Sequence, residues 1–178
     1  MKLMKTMMIG VVVFMLVGSA GLMAKEATGD FGRDFLKTLQ DARAYSIEMA
    51  ELMPEESYNF KPTPEIMSFG EQVAHTASST FWFMSKMTGK ENPGKGFKAE
   101  GKSKAEIVKY LKDSFDYAEK VLAGLTDAEA SGKVNLWGDV NLKRSQVFLM
   151  ARDHITHHRG AMVIYLRLKG IKPAEYRG

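Results

Sequence analysis

The chain contains four histidines, and three of them fall within D-H-I-T-H-H-R-G, Asp153 to Gly160. A neutral imidazole is a good ligand for zinc, nickel, copper or iron. His154 and His158 stand four residues apart, so on a helix they share one face with Cβ atoms about 5–6 Å apart, within reach of one ion. His157 is turned by about 100° from His158, onto the strip of Gly160 and Ile164, and takes a lesser role. The fourth histidine, His75, lies far upstream among small residues (Ala74, Thr76, Ala77, Ser78, Ser79) that let another helix come close. If the two helices face each other, His75, His154 and His158 form a three-nitrogen set. Such a set leaves a position open for water or substrate, as expected of a catalytic rather than a structural metal. The plainer reading is that a lone helical histidine is mostly a surface or hydrogen-bonded residue and that H-x-x-x-H occurs by chance. On a helical wheel His75 lies nearly opposite the stripe of Phe69, Val73 and Ala77, so periodicity leaves its direction open.

Around such a metal, Glu71 (one turn before His75) and Asp153 (beside His154) are candidates for a base, although either reads first as a solvated carboxylate. Arg159 is a candidate receptor for an anionic substrate, with surface placement as the plainer reading. Tyr58, Trp82, Trp137 and Tyr165 can line a pocket, but aromatics in a helical domain are usually core. Methionines outside the leader read as core filler. Other chemistries are excluded or poorly supported. There is no cysteine, hence no disulfide, thiolate ligand, lipoprotein anchor or cysteine nucleophile. H-E-x-x-H is absent because Ile155 and Thr156 follow His154. The paired Glu-x-x-His motifs of di-iron bundles, C-x-x-C-H for haem and G-x-S-x-G are also missing.

Four helical patterns are expected to carry these residues. The first runs from Phe31 to Met53 through Phe35, Leu39, Ala42, Met49 and Leu52, and Pro54 ends it. A connector with Pro62 and Pro64 follows. Ser68 and Glu71 form an S-x-x-E capping box that opens a second helix, apolar nearly all round and reaching Met87, which predicts burial on several sides. The segment Gly89 to Phe97 is a loop. Ser103 and Glu106 open a third helix that reaches Leu125. Thr126 to Lys143 can hold a short hairpin around Gly138. The fourth helix, Ser145 to Lys169, stops at Gly170. These patterns predict an all-α domain, a four-helix bundle. The long connector between the first two helices means that they need not be simple neighbours.

Residues 1–24 read as a secretory signal peptide. Lys2 and Lys5 precede an apolar run, Ile9 to Val17, and small residues follow at Gly18, Ser19, Ala20 and Ala24. That run is shorter than the roughly 20 residues needed to span a bilayer. Cleavage is expected after Ala24 or Ala20, with residues 25–178 as the domain, exported across the inner membrane to the periplasm; a retained anchor is the alternative. Removing Lys2 and Lys5 lowers the formal net charge from +4 to +2. Lys and Glu are interspersed with no basic block, so a nucleic-acid partner is not expected, nor a membrane partner after cleavage.

The stretch D-H-I-T-H-H-R-G-A-M-V-I-Y-L-R-L-K-G-I-K-P-A-E-Y resembles the last helix and tail of DinB/YfiT-like proteins, whose pattern is about H-x-x-H-H-R-G-Q, then Y-L-R-x-x-G and a proline. Upstream, Y-N-F-K-P-T-P-E-I-M-S-F-G-E-Q-V-A-H resembles that family's entry into its second helix, ending on its first histidine. The resemblance implies a four-helix bundle, His75, His154 and His158 as metal ligands, a zinc or nickel ion, and a homodimer. It also implies thiol-dependent transferase or isomerase chemistry. Two departures bear on function: Ala161 stands where the family commonly has Gln, and a secretory leader removes the chain from cytosolic thiols. The expectation is therefore a metal-dependent transferase or hydrolase acting on a small molecule. The alternative is a non-catalytic metal-binding or stress-response protein in which the ion staples two helices.

Overall fold

Helix starts in this protein are set by which groups can take up free backbone amides. The computed structural model describes residues 28–177; the leader expected at residues 1–24 lies outside them. The first helix, α1 (Asp30–Leu52), has Gly29 at its cap and no side-chain cap there. Its amides are met from far along the chain. The Asp127 carboxylate accepts from the amides of Asp30 at 3.0 Å and Phe31 at 3.1 Å, which holds that carboxyl below the usual range. Pro54 follows α1, and a single 3-10 turn, Glu55–Ser57, begins the connector.

Helices α2 (Phe69–Thr88) and α3 (Lys104–Ala123) open on complete capping boxes, Ser68/Glu71 and Ser103/Glu106, as their S-x-x-E patterns predict. Gly89 ends α2 in the left-handed conformation, φ 68°, which a glycine adopts without steric cost. A five-residue helix, α4 (Asp127–Ser131), has its own Thr126/Glu129 box. At this length it shows no helical period in the sequence, so the pattern reading leaves it within a connector. The antiparallel hairpin β1 (Lys133–Trp137) and β2 (Val140–Lys143) turns at Gly138, φ 46°. The long last helix, α5 (Arg144–Leu168), is the fourth helix of the sequence pattern.

The long helices form a four-helix bundle in which α2 packs against α3 and α5, and α1 packs against the same two. Sequence neighbours α1 and α2 are therefore diagonal, and the connector crosses between them. That segment also completes α2: Phe60 and Tyr58 carbonyls accept from the amides of Phe69 and Gly70 at 3.0 and 2.8 Å. The Tyr58 hydroxyl donates to the Ala50 carbonyl at 2.7 Å. Met49, Phe69, Met84, Leu111, Phe115 and Phe148 are fully buried at the centre, each stabilising the fold by roughly 1.5–3 kcal/mol over exposure. Helix α2 is buried on several sides, as its composition predicts. Its inward hydroxyls, Thr76 and Thr80, donate to carbonyls one turn earlier at 2.9 and 2.8 Å, so their burial leaves no donor unmet. No described helix is long and apolar enough to cross a membrane.

Candidate metal centre

The α2–α5 contact brings together the three histidines that the sequence singles out. Nitrogens of His75, His154 and His158, one from each ring, all lie within 4.8 Å of one another, a group able to hold one metal ion. His75 and His154 stand Nε2 to Nε2 at 3.2 Å. Two nitrogens bound tetrahedrally to one zinc, each roughly 2.0–2.1 Å from it, would be about 3.3 Å apart. The spacing thus suits a shared ion.

His75 faces α5, which settles the direction that periodicity leaves open. Its helical strip, opposite the Phe69/Val73/Ala77 face, packs beside a second helix and is half-buried there. A helix buried on several sides has no single inward stripe, and that is why the wheel argument fails here. His157 remains exposed, its ring 4.9 Å from that of His158 and outside the group.

Two supporting residues escape the sequence reading. The Gln72 side-chain oxygen lies 2.6 Å from His158 Nδ1, and as an acceptor it fixes the proton on Nδ1. The Nε2 lone pair of His158 is then free, the tautomer a metal ligand needs. Ser79 places its Oγ 2.9 Å from His154 Nε2 and 3.4 Å from His75 Nε2. Gln72 precedes His75 by three residues and Ser79 follows it by four. Both stand at the same three/four spacing from His75 that joins His154 to His158, and that spacing is the signal in the sequence that marks them.

Burial pushes the pKa of all three imidazoles down. For His158 it falls to about 4, through desolvation first and then through the neighbouring His154, His75 and His157. His75 and His154 are lowered chiefly by desolvation, with smaller contributions from nearby imidazoles. Near neutral pH the cluster is uncharged, with lone pairs available. The donor set therefore fits a metal ion that accepts nitrogen ligands.

Neither carboxylate candidate stands at the cluster as a base. Glu71 is occupied by the cap of α2, accepting from the Ser68 amide at 2.6 Å, and by Lys61 at 3.2 Å. Asp153 is exposed and pairs with Arg152 at 3.1 Å, in keeping with a solvated carboxylate. Tyr58 and Tyr165 are core residues whose hydroxyls donate to the carbonyls of Ala50 and Met67. Trp82 instead lines a cavity that includes His154, and Trp137 stacks on it.

Arg159 corrects the surface placement expected of it: it is only 6 % exposed. Its guanidinium lies over the Tyr45 ring of α1 at 5.4 Å and donates to Thr156 Oγ1 at 3.1 Å. It also donates to the Arg177 carbonyl at 3.4 Å. One residue beyond His158, it is committed to α1 and the tail rather than to an anion at the cluster. Ala161, where the resembled pattern commonly has Gln, is half-buried.

The profile of the DinB superfamily matches residues 38–162. The chain belongs to the DinB superfamily. The match takes in all of α2 and most of α5, so the cluster lies inside the family domain. Solved structures agree on the fold. A DinB-like protein of Bacillus subtilis is 21% identical with a TM-score of 0.68, covering 81% of this chain and 98% of that one. A DinB-like protein of Bacillus cereus is 18% identical with a TM-score of 0.71, covering 81% and 96%. A conserved protein of Enterococcus faecalis is 18% identical with a TM-score of 0.63, covering 76% and 95%. No curated protein matches this DinB-superfamily chain in sequence.

Proposed function

We propose that the protein binds one divalent metal ion, zinc or nickel, through His75, His154 and His158, and acts as a metal-dependent transferase or hydrolase on a small molecule. The observation that carries this reading is the convergence of three uncharged imidazoles with Gln72 fixing the tautomer of one of them. A bound ion would supply Lewis acidity and lower the pKa of a coordinated water or thiol. The chain's own part is positional. Gln72 holds the His158 ring; burial keeps the imidazoles unprotonated; Ser79 places an oxygen beside two of the ligating nitrogens. Three protein donors leave at least one position for an exogenous group, which favours the enzyme over a structural ion. The composition of residues 1–24 supports export, and the substrate would then be one present in the periplasm.

The test is the metal content of natively purified, untagged protein beside His75→Ala and His154→Ala. About one equivalent in wild type and little in either variant is expected. Metal retained by His75→Ala would remove the α2 histidine from the site. Cobalt substitution separates the two functional readings: azide or a thiol should shift the visible spectrum of an open site and leave that of a closed structural site unchanged.

A further inference from the structure

A cavity of about 440 Å³ opens beside the histidine cluster, and its wall includes His154 and Ser79. Trp82, Phe83 and Phe97 add rings to that wall, and Lys95 adds an exposed cation from the loop between α2 and α3. The volume lies within the range of small-molecule sites. The rings are held in place: Phe97 stacks on Tyr110 at 3.8 Å between centroids, and Trp82 on Trp137 at 5.9 Å. The loop is pinned too. The Tyr110 hydroxyl donates to the Gly94 carbonyl at 2.7 Å. Gly94 passes so close to Phe81 that a Cβ there would sit 2.3 Å from its ring. A wall built this way is ready before any ligand arrives.

Ser79 gives the cavity its polar preference. Its Oγ donates to the His75 backbone carbonyl at 2.7 Å, which commits its single proton. What remains are lone pairs directed toward His154 Nε2 and His75 Nε2. An Nε2 that ligates an ion carries no proton, so neither nitrogen then has anything to donate. The Ser79 oxygen is left as an acceptor without a donor, at the side of the cluster that faces the cavity.

We propose that this cavity binds a small molecule with a flat apolar body and a head whose donor atom keeps a proton, such as an alcohol or an ionised sulfonamide. Ser79 selects that head by accepting a hydrogen bond from it. A carboxylate head has no proton to give, so it pairs with Ser79 only when the hydroxyl turns its own proton away from the His75 carbonyl. The inference rests on the metal reading above and adds to it a class of ligand.

Benzenesulfonamide and benzoate carry the same ring and differ in this respect, so they are the probes. Each is titrated into zinc-loaded protein while tryptophan fluorescence is followed, since Trp82 lines the cavity. Benzenesulfonamide should quench and bind roughly tenfold or more tightly than benzoate, the effect of one hydrogen bond gained against one acceptor left unmet. Ser79→Ala should remove most of that preference while keeping its zinc. Ser78→Ala is the control: Ser78 also lines the cavity and its hydroxyl also donates to the His75 carbonyl, at 3.1 Å, yet it makes no hydrogen bond to an imidazole, so the variant should retain the preference. Equal binding of the two probes, no quenching by either, or an unchanged preference in Ser79→Ala would overturn this inference and leave the metal reading standing. Failure of the wild-type protein to take up zinc would end both.

Discussion

The α2–α5 seam and the α1–α3 seam use polar residues in opposite ways. Between α1 and α3 the charges neutralise one another at the surface. Arg43 meets Asp116 at 2.6 Å, and Lys112 meets Glu51 at 2.7 Å. Lys104 donates to the carbonyls of Glu51 and Met53 at 2.7 and 2.8 Å, closing the end of α1. Between α2 and α5 there are no such pairs at the cluster. Three imidazoles sit half-buried or buried, their charged forms disfavoured first by desolvation, with the side chains of Gln72 and Ser79 beside them. Polar groups that satisfy each other in pairs make a scaffold. Polar groups gathered with lone pairs to spare make a place for something else to bind.

Four experiments would break or sharpen that contrast. The largest effect should come from His154→Ala, in which the rise in Tm produced by excess zinc disappears; Arg43→Ala should keep the full rise. Binding to the native state raises stability by mass action, so the thermal shift reads the seam directly. Next, Gln72→Leu should weaken zinc binding by about 10–100-fold, the usual consequence of losing a group that orients a ligating histidine. A competition titration against a chelator measures it. An unchanged affinity would mean that packing alone holds the His158 ring.

The third expectation concerns pH in the metal-free protein. All three histidines have lowered pKa values in the fold, so below the ordinary histidine value the unfolded chain binds protons that the native state refuses. Their contribution to stability is complete above pH 6.5, falls as pH drops, and is exhausted below about 4, where His158 protonates. Urea midpoints at stepped pH should show this slope, and His158→Gln should flatten it. A slope unchanged in that variant would assign the acid sensitivity to carboxylates instead. The smallest effect belongs to the other seam. Lys112→Ala breaks an exposed ion pair and should cost no more than about 1 kcal/mol by denaturant titration, with zinc binding untouched.

Much of the architecture is legible in local sequence. Ser68 with Glu71, and Ser103 with Glu106, mark helix starts because a capping box is a contact within four residues. The hairpin around Gly138 and the stop at Gly170 are equally local. Long-range groups are not. Asp127 caps α1 across almost a hundred residues, and no spacing rule joins them. Arg159 looks like a surface cation until the tail and Tyr45 enclose it.

The site divides in the same way. That His154 and His158 share a face is legible without the bundle, because an i, i+4 relation is fixed by the helix. Family resemblance supplied the expectation that His75 joins them. Only the tertiary structure decided that His75 turns toward α5, because α2 is covered on several sides and its own periodicity has no single inward direction. The pairing of Gln72 with His158 and of Ser79 with His154 likewise waits on the two helices being side by side. A helix sets which of its residues stand together; the packing of the bundle sets what they meet.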